Sequence, residues 1–367
     1  MEQTKKKYDM NRPEAKALMD EIVHGTFMKE GTMVAFPTCF PGASVPIAPD
    51  ESRITALDAT PEGVVYGGTS GRRAHIFVGM FHGVTGMVFD LKAVEGATDC
   101  VAVCCGQKRF AACVNGPRGG GRVLTCDLQP LPFDLIQEWG FIRPEFSDLG
   151  EVVAGEPIVH AVADRDNDLV IGITAQHLFT VDLGSPKVQI NEKVAGEGRI
   201  ALASRGGIVG RDGSGYLWRF DPKSRALRRR AYALPDGQWD KTPLVWSRLN
   251  HKGLLYTADG TGRLFSFDED KSFSAPLGRT TLAPVGPMAS TFDGRLFGFC
   301  GPELAKMFCW DPAAGTVSNL GVAVSVLERR RYGYVFGDAV TGRDGQLYFG
   351  ENDNLGHLWI YFPKIKA

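Results

Sequence analysis

The chain has 367 residues, 44% hydrophobic and 23% charged, which is enough apolar material for a core and excludes a disordered polymer. Forty-one basic residues oppose 42 acidic ones, and the net charge of −1 gives no global reason to expect nucleic-acid binding. Forty-five glycines without a G-X-Y period point to turns, and the opening MEQTKKKYDMNRPEAKALMDEIV holds no apolar run long enough for a signal peptide or a membrane span, so no membrane contact and a cytoplasmic location are expected.

In chain order, NRPEAKALMDEIV reads as a helix. Asn11 can cap it, Glu14 sits three residues on as in a capping box, and Ala15, Leu18, Met19 and Ile22 form an apolar stripe. Residues 1–30 are therefore expected as a helical extension and 31–367 as one β domain. GTMVAFPTC (31–39) reads as a spare strand. After it come similar segments: AHIFVGMF (74–81), GRVLTCDL (121–128), QHLFTVDL (176–183), GYLWRFDP (215–222), GRLFSFDE (262–269), AKMFCWDP (305–312) and GHLWIYFP (356–363). Each is a polar residue followed by alternating apolar positions, the pattern of a half-buried strand, and they recur at roughly 47 residues.

A first strand, a turn and a second strand precede each segment, as in ITALDATPEGVVYGGTSG and VHAVADRDNDLVIGITAQ. The turns at Pro61-Glu62-Gly63, Asp293-Gly294 and Asp344-Gly345 carry residues suited to tight hairpins. Gly67, Gly68, Gly172, Gly298 and Gly350 read as following the second strand, where a missing side chain allows close packing between blades or a bend. Seven repeats of about four strands make an all-β, seven-bladed β-propeller. The last repeat has no room for its outermost strand, so the N-terminal strand is expected to complete blade 7 and close the ring. The WD40 and kelch signatures are absent.

Aligned, the segments place His75, Arg122, His177, Tyr216, Arg263, Lys306 and His357 at one position, the start of the third strand. On one reading these residues, with Arg72 and Arg73, form a cationic bowl for an anionic ligand, since converging charge focuses the field and arginine forks suit carboxylates. On the other they are the polar strand starts of any propeller. His160 begins an inner strand and could line the channel, whereas His82, His24 and His251 read as loop or surface residues. Asp58, Asp164 and Asp338 lie on inner strands or their ends, and any two could serve the paired-carboxylate chemistry of a glycosidase. Trp218, Trp246 and Trp359 read as core between blades or as sugar-stacking rings.

No H-x-H, H-E-x-x-H or C-x-x-C motif occurs, and Cys39, Cys100, Cys104, Cys105, Cys113, Cys126, Cys300 and Cys309 read as buried thiols. Glu351, Asp353 and Asn354 share one loop that reads either as a polar turn or as a site for a divalent metal such as calcium. The basic runs SRALRRR (224–230) and ERRRYGY (328–334) read as solvated strand ends or as partner-binding patches.

With GGTSGRRAHIFVGMF and GRDGQLYFGENDNLGHLWIYFP in hand, the chain resembles the seven-bladed propeller carbohydrate-active enzymes, including the ulvan lyases and the rhamnosyl-glucuronate hydrolases and lyases. The resemblance implies an acidic, uronate-containing oligosaccharide as substrate and His75 as the carried-over catalytic residue. Cleavage by β-elimination removes the proton α to the uronate carboxylate. That calls for a base or acid (His75, with Tyr216 and His357 as further candidates) and for cations on the substrate carboxylate: Arg72, Arg73, Arg122, His177, Arg263 and Lys306. Hydrolysis of the same bond, a non-catalytic glycan-binding propeller and a protein-binding scaffold remain open beside it.

Overall fold

The structure is a computed structural model, and it describes residues 12–17, 30–38, 46–82, 85–129, 144–194, 196–240, 242–326 and 332–365. Seven four-stranded antiparallel sheets follow one another around an axis, so the fold is the seven-bladed propeller that the repeats imply. Of the expected N-terminal helix, residues 13–17 are helical with Ala15 half-buried; Asn11, Leu18, Met19, Ile22 and His24 lie outside the described residues.

Both faces of each sheet are buried. A cluster of apolar side chains fills every interface between neighbouring blades, from Tyr66 and Phe110 between blades 1 and 2 to Trp359, Phe299 and Phe336 between blades 6 and 7. Trp218, Trp246 and Trp359 all belong to such clusters and are core. The described cysteines are buried free thiols.

Gly31–Pro37 pairs antiparallel with His357–Pro363, in register from Gly31 opposite Pro363 to Pro37 opposite His357. The N-terminal strand therefore completes blade 7. Its alternation is used on both sides: Met33 and Ala35 enter the cluster shared with blade 6, while Val34 and Phe36 enter the one shared with blade 1.

The second-strand glycines divide into two groups. Gly67, Gly172, Gly210 and Gly298 stand directly opposite an aromatic residue of the third strand: Phe77, Phe179, Trp218 and Phe308. The ring lies over the glycine, so a Cβ on Gly172 would fall 2.2 Å from the Phe179 ring. Gly68 and Gly350 instead admit the neighbouring blade, with Cys100 and Ile54 in the space a Cβ would take.

In a blade packed on both faces, a regular inner strand sends its side chains sideways into the neighbours. Here the pairing of inner and second strands shifts register in blades 1, 2, 3, 4, 6 and 7. A bulge of this kind re-aims a side chain. The shifts fall at or around His160, Arg199 and Asp338, the third residues of Ile158–Asp164, Glu197–Leu202 and Phe336–Thr341. In blade 5 the inner segment is irregular and meets the sheet through a bridge between Trp246 and Thr257.

Gly172→Ala should cost about 1–3 kcal/mol, the range for overpacking a filled core, read as a lowered melting temperature. An unchanged melting temperature would show that the Phe179 ring does not need that space.

Candidate functional site

A cavity of about 320 Å³ lies among the inner strands. Its wall includes Asp58, His160, Arg165, Arg199, Arg248 and Asp338, with Asp164, Trp246 and Leu249 also present. Three arginines span blades here. From blade 4, Arg199 bonds Asp338 Oδ1 at 2.5 Å and the Gly337 carbonyl at 2.5 Å in blade 7. From blade 5, Arg248 bonds the Leu57 carbonyl of blade 1 at 2.5 Å and stands 3.7 Å from Asp338. From blade 3, Arg165 bonds the carbonyls of Ala59 at 2.7 Å and Cys105 at 3.2 Å.

The carboxylates staple the same blades. Asp338 Oδ2 accepts the Leu57 N–H at 2.8 Å, and Asp58 Oδ2 accepts the Cys105 N–H at 2.7 Å. Asp164 is held by Asn167 at 2.6 Å. These acids are thus already engaged, whereas the arginines are not fully spent. A guanidinium has five N–H donors. Among the described residues, the Nε and Nη1 of Arg248 and the Nη1 of Arg165 have no hydrogen-bond partner.

Burial opposes charge on Asp338, but Arg199 and Arg248 outweigh it and hold its pKa below the usual carboxylate value. Burial likewise opposes charge on Arg248, but Asp58 and Asp338 raise its pKa, so it stays cationic. His160 is pushed well below the ordinary histidine value, first by burial and then by Arg199. It is therefore neutral near pH 7. Its Nδ1 accepts the Ile200 N–H at 3.3 Å, which leaves the ring proton on Nε2.

The aligned strand-start residues lie at the other end of the sheets. In blade 3 the turn after the inner strand supplies Arg165 and Asp166 to the cavity, while His177 follows the turn at the opposite end. Most of these residues meet a carboxylate of their own blade or of the loop entering it. Buried His75 bonds Glu51 at 2.8 Å and Asp90 at 2.9 Å. Arg73 and Arg72 also reach Glu51. Arg122 pairs with Asp148 at 2.6 Å, His177 with Glu156 at 3.0 Å, Arg263 with Asp259 at 2.8 Å and His357 with Glu351 at 3.3 Å. Tyr216 lies under the Arg230 guanidinium, and Lys306 is half-buried at its strand start. The positions align as the repeat implies, but the charge of the expected bowl is balanced blade by blade.

Buried Glu351 also accepts the Trp359 indole N–H, and Asp353 caps the Leu355 N–H. Among the described residues no three His, Cys, Asp or Glu side chains gather as metal ligands. His251 is exposed, and Glu328 to Arg331 lie outside the described residues. Sequence reading placed His160, Asp58, Asp164 and Asp338 on inner strands, where they are. It passed over Arg199 and Arg248, whose signal was available: a lone arginine in GRIAL and in WSRLN, at inner-strand positions of successive repeats.

No protein-family model matches this chain, and no curated protein matches it. Solved structures do. Virginiamycin B lyase from Staphylococcus aureus is similar with a TM-score of 0.61 at 6% identity, over 91% of this chain and 99% of that one. The RRP9 WD40 repeats give 0.58 at 9%, over 91% and 99%, and a chain of the mitotic checkpoint complex gives 0.56 at 11%, over 92% and 95%. At such identities the likeness shows the propeller fold alone. It lends no support to the narrower likeness to ulvan lyases or rhamnosyl-glucuronate enzymes.

The cluster around Glu51 yields a stability test. A hydrogen bond from Arg73, opposed by burial and helped by His75, lowers the Glu51 pKa from 4.5 to about 2. Burial disfavours charged His75, but Asp90 and Glu51 outweigh it and raise its pKa above 6.5. The Glu51 contribution is present above pH 4.5 and is lost as pH falls toward 2. The His75 contribution is present below 6.5 and is lost as pH rises through the raised value. His75→Gln should cost about 3 kcal/mol, as when one partner of a buried pair is removed, and should flatten the alkaline decline in urea midpoints. A variant that keeps that decline would assign it to another group.

Proposed function

We propose that the axial cavity binds the carboxylate-bearing end of an acidic oligosaccharide of the uronate class. The observation that supports this reading most is the uncommitted Nε and Nη1 of half-buried Arg248 beside a neutral His160. A guanidinium already fixed by a backbone carbonyl loses little freedom on taking a carboxylate, and it binds in a fork. The Nε2–H of His160 offers a neutral donor to the same group. In this reading His75, Tyr216, His357 and the arginines around the strand starts support the blades.

Elimination is the catalytic form of the same reading. Arg248, with Arg199 and His160 Nε2–H, would stabilise the dianion formed when the proton α to the carboxylate leaves. The tautomer of His160 makes it a donor, so proton abstraction would fall to Asp58 or Asp164; the C4–O bond then breaks as the C4=C5 double bond forms, and the departing glycosidic oxygen takes the proton back from that acid. A lyase on a propeller, as in the Staphylococcus aureus protein, makes elimination compatible with the fold and nothing more. Hydrolysis would draw on two of Asp58, Asp164 and Asp338.

Titration calorimetry with uronate oligosaccharides should show binding that Arg248→Met weakens by about 10- to 100-fold, the worth of a charge-assisted hydrogen bond. The affinity should stay level from pH 8 through 6.5, since His160 does not charge there. A steep gain below 6.5 would mean a cationic histidine in the site. Mass spectrometry of the same mixtures separates the chemistries: unsaturated products identify a lyase, hydrated ones a hydrolase, and unchanged sugar a binding protein. No binding by the wild type sinks the reading.

A further inference from the structure

The outermost strand of blade 4, Ala226–Ala233, carries Arg228, Arg229 and Arg230, and Arg225 stands in the turn before it. Elsewhere in the molecule, arginines such as Arg73, Arg122, Arg219, Arg263 and Arg295 meet a carboxylate. Among the described residues, no acidic side chain forms an ion pair with any of these four.

The backbone bends to present them. A regular pleat would turn alternate residues inward, yet Arg228, Arg229 and Arg230 are all exposed. The cause is a bulge: the pairing with the third strand shifts register between Leu217 opposite Tyr232 and Arg219 opposite Arg228. Two of the four arginines have left-handed backbone, Arg225 at φ 56° and Arg230 at φ 49°. The matching turn of blade 6, Asp311 to Gly315, has glycine at that place with φ 62°. Ser272 of blade 5 is left-handed at the same turn position with φ 62°, so at Arg225 the conformation belongs to the turn, whereas Arg230 adopts it within the strand, where a left-handed non-glycine residue is uncommon.

The side chains are also held. Arg228 bonds the Ala231 carbonyl and Arg229 the Lys193 carbonyl, both at 2.7 Å, and each does so through Nη2 alone. Arg228 lies over the Tyr232 ring and Arg230 over the Tyr216 ring. The result is a strip of fixed, uncompensated forks. One face of each ring is taken by a guanidinium, which leaves less of it for stacked bases. The bulge spoils the edge for an added peptide strand. A chain whose carboxylates are read by side chains alone fits what remains.

We propose that this strip docks an acidic glycan chain at a second place, outside the axial cavity. Naming the glycan rests on the proposed function, and the strip itself does not. Blade 4 supplies Arg199 to the cavity from its inner strand and the strip from its outer one. Three strand spacings separate the two, about 15 Å, so one polymer of several sugars can engage both, and the second contact becomes intramolecular.

The test is affinity electrophoresis of the full chain through gels containing polygalacturonate, a readout that needs no turnover. The wild type should be retarded, and R228A/R229A/R230A should bind at least tenfold more weakly. Arg230→Gly, which relieves the left-handed strain, should raise the melting temperature while weakening retention. That pairing cannot come from a misfolded variant. Polyglutamate at equal carboxylate concentration should not restore mobility. An unretarded wild type, an equally retarded triple variant, or full competition by polyglutamate would each overturn the proposal. Retardation without any change in the sugar leaves the docking strip standing and removes only catalysis.

Discussion

Asp338 is the residue on which the axis depends. One carboxylate takes the Leu57 N–H of blade 1 and a guanidinium N–H of Arg199 from blade 4, and it stands 3.7 Å from Arg248 of blade 5. A buried charge is tolerable only when compensated, and removing one partner leaves the other exposed to the full desolvation cost. The two guanidiniums therefore cannot be spared independently of Asp338. Arg248, held beside it in the cavity wall, keeps its Nε and Nη1 without a hydrogen-bond partner among the described residues. The bonds that tie blades 1, 4 and 7 across the axis are made by side chains that also line the cavity.

The two ends of the sheets solve different problems with the same residue types. At the strand starts, histidines and arginines meet acids locally, either of their own blade or, for His75 and His177, of the segment that enters it. At the axis, arginines meet acids and carbonyls of distant blades. Local pairs balance charge within a short reach, although Asp90 Oδ1 is left without a hydrogen-bond partner among the described residues. Cross-axis pairs are limited by reach, so Arg248 spends one nitrogen on a carbonyl and keeps others free.

The fold was legible because its signals are local and repeated: alternation, turn glycines and the missing last strand of blade 7. The position shared by His75, Arg122 and His357 was legible for the same reason. The acids that neutralise it were not, because Glu51 lies in the short helical turn Pro49–Glu51 before blade 1 and Asp148 in the outermost strand of blade 2, both outside the repeated segment. Arg199 and Arg248 stood in plain sight, but nothing in one strand tells that a bulge will turn a side chain to the axis. Gly67 and Gly172 looked like room for a neighbouring blade and are instead roofed by the aromatic ring of the next strand.

The pairing of Gly31 with Pro363 has a consequence for biosynthesis. Gly31–Pro37 finds its partner only once residues 357–363 have left the ribosome. Until then Met33, Val34, Ala35 and Phe36 present apolar side chains on both faces of an unpaired segment. Such a segment is an aggregation hazard while it waits. Blade 7 cannot be completed without residues 357–363, so a chain truncated before them leaves Gly31–Pro37 without its partner strand.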